Sequence, residues 1–157
     1  MILLMTTDPT GVIGDTTKVP WDYPKDREFF NIATKNNVVI MGRKTWNDMS
    51  NKPLPNRVNV VVSETLPEVE GAHVIRNHID INVIHKLCPD KHIYLIGGKQ
   101  LFTEWIDLCT DMIVTHLKKT HKGDIVFHWN WMDWIPTKTD LYRDNDIRIV
   151  HYKRKTI

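Results

Sequence analysis

Short apolar runs rich in β-branched residues alternate along the chain with segments whose apolar residues recur at helical spacing. Val38 to Met41 is continuously apolar, which is typical of a strand covered on both faces. Similar runs predict strands over residues 2–7, 58–62, 73–75 and 93–96, and one that starts over 112–115. Because predicted helices separate these strands, the pattern indicates a mostly parallel sheet.

Helix signals lie between the predicted strands. Pro24 occupies the first-turn position that proline tolerates best, Asp26 lies in the same turn, and Phe29 and Phe30 begin the apolar face. Residues 147–152 have strand character without a following helix, so we expect an antiparallel edge there. Further helices are predicted after Gly42, over residues 79–87 and over residues 99–106.

Composition narrows the class of protein. The 157 residues, 41% hydrophobic and 25% charged, predict one globular domain over residues 1–157. A net charge of +2 is too small to indicate nucleic-acid binding. The apolar N-terminus stops at Thr6, too early for a membrane span, and Cys88 and Cys109 lack a metal-type spacing. We therefore expect a cytoplasmic protein that neither binds nucleic acid nor spans a membrane.

Two sets of aromatic and histidine residues allow alternative interpretations. Trp129, Trp131 and Trp134 resemble a stacking platform for single-stranded nucleic acid, but their segment carries little positive charge, so packing is preferred. The eight histidines show no convincing metal spacing and are interpreted as core or surface residues.

The junction after the second long strand is the main candidate for chemistry. Gly42 ends the apolar run, and Arg43 and Lys44 follow at the predicted start of a helix. Unpaired backbone N–H groups and positive side chains at such a junction favour an anion, so the sequence predicts a phosphate site. A basic first helical turn that faces water explains the two cations equally well.

Eight short motifs follow one another along the chain: Ile13-Gly14, Pro20-Trp21, Asp26 with Phe30, Met41 to Trp46, Leu54 to Arg57, Ile96 to Gly98, Thr115, and Gly123-Asp124. In identity and order they resemble the motifs of dihydrofolate reductases, and the resemblance runs from Ile2 to about Tyr152. It implies a central eight-stranded, mainly parallel sheet with an antiparallel C-terminal edge and helices on both faces. It also implies a monomer that transfers hydride from NADPH to dihydrofolate.

The resemblance assigns substrate roles to particular residues. Asp26 matches the carboxylate that binds the pteridine edge and promotes its protonation, although it also suits a helix N-terminus as a purely stabilising residue. Arg57 matches the arginine that binds the glutamate tail, and an exposed loop arginine is the alternative. The expected catalytic residues are Asp26, Trp21 and Thr115, and the expected substrate-binding residues are Asp26, Phe30, Met49, Leu54, Arg57 and Thr115.

The resemblance also implies a cofactor site. Gly97-Gly98 lets the backbone approach a pyrophosphate, and the family has a cis bond between these glycines. Trp21 and Val19 would line the loop that closes over the nicotinamide. The expected cofactor-binding residues are Ile13, Gly14, Val19, Gly42, Arg43, Lys44, Thr45, Ser63, Ile96, Gly97, Gly98, Lys99, Gln100 and Phe102.

The chain departs from the family pattern at a few positions. Lys99 replaces a frequent third glycine, Phe102 replaces a frequent tyrosine, and Met5-Thr6 stands where small alanines are common. Glu64 brings an acid to the region expected to face the adenosine phosphate. Two alternatives remain: a related reductase for a pyrimidine or pteridine intermediate, and a structural or binding component, for example of a viral particle, with incidental activity.

Overall fold

A large mixed sheet forms the centre of the computed structural model, which describes residues 1–15, 20–137 and 139–156. In chain order the strands are β1 (Ile2–Thr7), β2 (Val12–Gly14), β3 (Val38–Gly42), β4 (Val58–Val62), β5 (Ala72–Ile75), β6 (Ile93–Gly97), β7 (Asp111–Leu117), β8 (Ile125–Val126), β9 (Trp134–Pro136), β10 (Tyr142–Arg143) and β11 (Ile147–Arg154). The helices are α1 (Pro24–Thr34), α2 (Arg43–Asp48), α3 (Ile81–Leu87) and α4 (Lys99–Trp105).

Eight strands follow one another across the sheet in the order β10-β11-β7-β1-β6-β3-β4-β5. The pairs from β7 to β5 are parallel, whereas β11 runs antiparallel to β7 and β10. A ninth strand, β9, pairs with β11 beside this path. The predicted mainly parallel sheet with an antiparallel C-terminal edge is confirmed.

Two hydrophobic layers, one on each face of the sheet, hold the helices. On one face, α3 and α4 pack through Ile84, Leu101 and Trp105. On the other face, Trp46 of α2 is 1% exposed, and Phe29 and Phe30 of α1 pack against the same cluster. The central strands alternate between the two layers because successive side chains of a strand point to opposite faces.

Most predicted elements are present with shifted ends. The helix expected over residues 79–87 consists of a 3-10 turn, His78–Asp80, followed by α3. The helix expected to reach Ile106 ends at Trp105 and continues as the 3-10 turn Ile106–Leu108. The small sheet of β2 and β8 is not among the predicted elements. Its strands have two or three residues, too few for a readable period.

The two cysteines are free thiols, and no helix of the described residues is long and apolar enough to cross a membrane. Cys109 is 1% exposed, and this burial raises the pKa of its thiol to about 12. Cys109 therefore behaves as a small core residue.

Asp8 joins three segments just beyond the end of β1. Its carboxylate accepts hydrogen bonds from Thr10, from the backbone N–H of Val12 at 2.9 Å and from the backbone N–H of His121 at 2.8 Å. Burial alone would raise the pKa of Asp8, but these hydrogen bonds outweigh it and hold that pKa below its ordinary value. The ionised carboxylate thus fixes β2 and the segment around His121 to the large sheet.

We expect Asp8→Asn to lower the free energy of unfolding at neutral pH by about 1 to 2 kcal/mol, because hydrogen bonds to a charged group are lost. A lowered folded-state pKa stabilises the protein above the unfolded pKa of about 3.9, and this contribution disappears as the pH falls through the folded-state value. Denaturant unfolding from pH 7 to pH 2.5 should therefore show a smaller loss of stability in the variant than in the parent protein.

The matched control is Asp90→Asn, which removes an exposed carboxylate in the turn after α3. It should leave both the stability and its pH dependence close to those of the parent protein. Equal acid sensitivity of Asp8→Asn and the parent would contradict the assignment.

Candidate functional site

A cleft of about 1360 Å³ lies across the ends of the parallel strands. The carboxyl ends of neighbouring parallel strands meet at one edge of a sheet, where α/β proteins bind ligands. Here that edge brings together Thr6 of β1, Gly42 of β3, Val62 of β4 and Gly97 of β6. The cleft exceeds the usual size of a pocket for one drug-sized ligand, so it has room for two ligands side by side.

A carboxylate held by two hydroxyl groups lies at one end of the cleft. Asp26 comes from the first turn of α1, and its Oδ1 accepts a 2.7 Å hydrogen bond from Thr115. Its Oδ2 accepts a 2.6 Å hydrogen bond from Thr6. Phe29 and Phe30 line the same end. This arrangement leaves a half-buried acid beside aromatic surface, as expected for an acid that binds a flat, polar-edged ring.

Trp21 lies in the cleft lining beside an interaction between two distant segments. Its ring meets the His121 ring edge-on, with centroids 5.2 Å apart, and Tyr23 Oη is hydrogen-bonded to His121 Nε2 at 2.8 Å. Burial, followed by the charge of Asp146, raises the pKa of Tyr23, so its hydroxyl stays protonated. His121 therefore fixes the segment before α1 to the segment after β7.

The strand-to-helix junction predicted at Gly42 is present, and both cations that follow it already have partners within the protein. Gly42 is the extended N-cap residue of α2 and lines the cleft with both cations. Arg43 donates a 2.8 Å hydrogen bond to the Thr65 hydroxyl, and Lys44 forms an ion pair with Asp48 at 3.1 Å. Because both groups are exposed, an anion can compete for them at low cost.

Arg76 is a cleft residue that the sequence pattern did not indicate. Its guanidinium donates hydrogen bonds of 2.7 Å to the carbonyl oxygens of Ser63 and Leu66. It lines the cleft together with Ser63 and Glu64. Arg76 lies after a four-residue strand without a motif around it, and only the parallel pairing of β4 with β5 brings it to Ser63.

The paired glycines end β6 as expected. The peptide bond between Gly97 and Gly98 is cis, and Gly97 has a φ of +132°, which side chains rarely adopt. A Cβ on Gly98 would lie 3.6 Å from Thr45 Oγ1. The prediction of the cis bond is confirmed. Lys99 and Gln100 are exposed at the start of α4, and the buried ring of Phe102 reaches the cleft.

Arg57 and Leu54 lie beside the cleft and are not among the residues that line it. Arg57 donates hydrogen bonds to the Thr34 hydroxyl, to the Pro55 carbonyl and to Asn31 at the C-terminal half of α1. Asn59, only 2% exposed, holds the turn before Arg57 through hydrogen bonds with the backbone of Leu54. The guanidinium is therefore held at a fixed place.

The structure brings together most of the predicted site residues. Val19 lies outside the described residues, and Leu54 and Arg57 lie next to the lining. The predicted residues that line the cleft are Ile13, Gly14, Trp21, Asp26, Phe30, Gly42, Arg43, Lys44, Thr45, Met49, Ser63, Ile96, Gly97, Gly98, Lys99, Gln100, Phe102 and Thr115.

The tryptophans after β8 pack against each other and against the core. Trp129 and Trp131 have ring centroids 4.3 Å apart, and Trp134 is 5% exposed under the Arg154 guanidinium. The His116 ring stacks on Trp131, and its Nε2 is hydrogen-bonded to Tyr152 Oη. Burial lowers the pKa of His116. Within the described ranges, no group of three or more metal-binding side chains is found.

Comparisons with known proteins agree on one family. The sequence profile described as Dihydrofolate reductase matches residues 1–156. A dihydrofolate reductase of Staphylococcus aureus is 36% identical over 134 residues, covering 84% of this chain and 80% of the relative. A dihydrofolate reductase of Haemophilus influenzae is 34% identical over 145 residues, covering 92% and 88%.

A longer relative and a solved structure extend the comparison. The bifunctional dihydrofolate reductase-thymidylate synthase of Paramecium tetraurelia is 37% identical over 132 residues, covering 83% of this chain and 28% of that protein. The chain thus matches little more than a quarter of that relative. A solved dihydrofolate reductase from Enterococcus faecalis, complexed with NADP(H) and RAB-propyl, has a TM-score of 0.83 and 27% identity, covering 99% of this chain and 96% of its own.

The fold, the family match and these relatives together place the chain among the α/β oxidoreductases. The chain belongs to the dihydrofolate reductase family, and the resemblance drawn from its sequence motifs is confirmed.

Gly123 packs closely against β2 and leaves no room for a side chain. A Cβ at this position would lie 2.5 Å from the carbonyl oxygen of Gly14 and 2.6 Å from a methyl group of Val12. Gly123→Ala must therefore displace β2, which carries Gly14 into the cleft, and we expect it to cost about 1 to 3 kcal/mol of stability. Denaturant unfolding measures the loss, and backbone NMR shifts of residues 12–14 report the displacement.

Gly14→Ala is the matched control, because its Cβ would lie 3.7 Å from Ile125 Cδ1, an ordinary contact. It should cost clearly less stability than Gly123→Ala. Equal free energies of unfolding for the two variants would contradict the close approach of Gly123 to β2.

Proposed function

We propose that this chain reduces 7,8-dihydrofolate to 5,6,7,8-tetrahydrofolate with NADPH, which supports one-carbon metabolism and thymidylate and purine synthesis. The observation that carries the proposal is the carboxylate of Asp26, bonded to two hydroxyl groups at one end of a cleft. The other end contains cations and exposed backbone. Family membership and the NADP(H)-complexed neighbour support the same reaction. The relatives named above are reductases, so a structural role gains no support.

Asp26 binds and helps to protonate the substrate in this proposal. Its ionised oxygens accept hydrogen bonds from the amino and amide edge of the pteridine, and Phe30 packs on the ring. The substrate C=N bond is reduced by hydride at carbon and a proton at nitrogen. Asp26 promotes delivery of that proton, and Trp21 excludes bulk water from the reacting atoms.

The end of the cleft away from Asp26 is lined by residues whose chemistry suits the cofactor. A Cβ on Gly42 would lie 3.8 Å from the Gly97 carbonyl, so three glycines leave the backbone open to a pyrophosphate. NADPH supplies the hydride when it is bound. Thr45 and Gln100 extend the polar lining, and Ile13, Ile96 and Phe102 supply apolar contact for a nicotinamide ring.

Two residues beside the cleft complete the substrate site. Arg57 presents a planar guanidinium whose position is fixed by α1 and by the Pro55 carbonyl, which suits the carboxylate of a glutamate tail. Leu54 and Met49 pack in the cluster that contains Phe30 and offer apolar surface to the middle of the substrate. One turnover assay tests the whole proposal, because purified protein should oxidise NADPH only when dihydrofolate is added.

Asp26→Asn should reduce turnover at neutral pH by about a hundredfold or more, because the side chain keeps its shape but loses its ionisable group. The measurement is single-turnover hydride transfer as a function of pH. We expect an acid-side ionisation in the pH profile of the parent protein that is absent from the profile of the variant. Persistence of the same ionisation in Asp26→Asn would show that another group provides it.

Arg57→Leu should chiefly raise the Michaelis constant for dihydrofolate, by about 1.5 to 3 kcal/mol in free energy, because a charged hydrogen-bonding partner is lost. A pterin substrate without the glutamate tail is the control and should be little affected. If the truncated substrate suffers as much as dihydrofolate, Arg57 does not bind the tail.

The preference for NADPH over NADH should depend on Arg43 and Lys44. One or two charge-assisted hydrogen bonds to the ribose phosphate predict a preference between about tenfold and a few thousandfold. Neutralising both cations should weaken NADPH much more than NADH, and added salt should narrow the difference because the site is exposed.

Glu64→Ser is the converse control, since it removes a negative charge from the same part of the cleft and should widen the preference. Equal losses for both cofactors in the cation variant would place Arg43 and Lys44 at the shared pyrophosphate.

A further inference from the structure

Thr6 is paired directly with Thr115 in the parallel register of β1 and β7. Paired residues of neighbouring parallel strands point to the same face of the sheet. The alternate residues Leu4 and Ile113 identify that face, because both pack in the cluster that contains Phe29 of α1. Two hydroxyl groups therefore stand side by side under α1.

Each hydroxyl group holds a different oxygen of Asp26. Thr6 donates to Oδ2 at 2.6 Å, and Thr115 donates to Oδ1 at 2.7 Å. Both distances are typical of short, charge-assisted hydrogen bonds. Because threonine is branched at Cβ, few rotamers are open to either side chain. The resemblance assigns a role to Thr115 and none to Thr6.

We propose that Thr6 is a positioning residue of the reductase site, whose hydroxyl fixes the plane of the Asp26 carboxylate for a substrate with two parallel N–H donors. An ionised carboxylate has about four acceptor positions. The two threonines occupy one on each oxygen, which leaves one on each oxygen for the substrate. Two remaining positions on separate oxygens suit the paired donors of an amino and amide edge.

The effect of Thr6 on hydride transfer rests on the proposed function, whereas the orientation of the Asp26 carboxylate by the Thr6 hydroxyl does not. Thr6→Val keeps the shape of the side chain and removes the donor, so the Asp26 carboxylate should lose one of the two hydrogen bonds that orient it. Thr6→Ser restores the donor. Thr7→Val is the matched control, because Thr7 is the next residue of β1, on the opposite face, and its hydroxyl donates to the Asp8 carbonyl at 3.3 Å.

Other charged groups face the same cleft and stay unchanged in these variants. Their effects on Asp26 therefore cancel when the variants are compared with the parent protein. They are Arg27 and Asp22, which form an ion pair, Asp15 after β2, Lys44 and Asp48 of α2, Arg43, Glu64, Arg76, and Lys99 and Glu104 of α4.

The first experiment follows the carbon-13 NMR signal of the Asp26 carboxyl group in the ligand-free full chain at neutral pH, with Asp26→Asn used to assign the signal. Thr6→Val should move this signal, because a hydrogen bond to the carboxylate is lost, and Thr6→Ser should return it close to the parent position. An unchanged signal in Thr6→Val, or an equal change in Thr7→Val, overturns the proposal.

The second experiment measures single-turnover hydride transfer with NADPH and dihydrofolate. Thr6→Val should slow transfer by about three- to thirtyfold through loss of orientation, with the serine variant recovering most of the rate. Unchanged transfer in Thr6→Val overturns the positioning role. Absence of turnover in the parent protein would contradict the proposed function, while the carbon-13 NMR measurement still decides whether the Thr6 hydroxyl holds Asp26.

Discussion

The parallel register of the central strands is the constraint on which the site depends. Five neighbouring pairs run in the same direction from β7 to β5, so their carboxyl ends lie along one edge. The β1 and β7 register sets Thr6 beside Thr115, and β3 against β6 sets Met41 beside Gly97. A shift of one residue between β1 and β7 would turn Thr6 and Thr115 to opposite faces of the sheet.

At the Asp26 end of the cleft, α1 both packs on the sheet and supplies the carboxylate. Phe29 and Phe30 hold α1 on the sheet through the core cluster, and the same helix turn carries Asp26 over the two threonine hydroxyls. Burial of the aromatic rings thus fixes the height of the carboxylate above the strands. Asp8 has a comparable role outside the cleft, where its lowered pKa keeps a charged acceptor between three segments.

Opposite charges are mixed at the cation end of the cleft. Lys44 pairs with Asp48, Arg43 donates to Thr65, and Arg76 lies near Glu64 while it holds two carbonyl oxygens. The exposed pairs are weak in water, so an anion can displace them at little cost. The number of cations at this end of the cleft is therefore a poor guide to specificity, and their existing partners matter as much.

The sequence by itself determined the central strands, α1, the glycine junctions and most of the cleft lining, because long apolar runs and motifs in a fixed order carry these signals locally. The tertiary structure alone decided the positions of β2 and β8, the approach of Arg76 to Ser63, and the contact of Thr6 with Asp26. Each of these joins residues far apart in the chain through strand pairing, and no local pattern encodes which strands become neighbours.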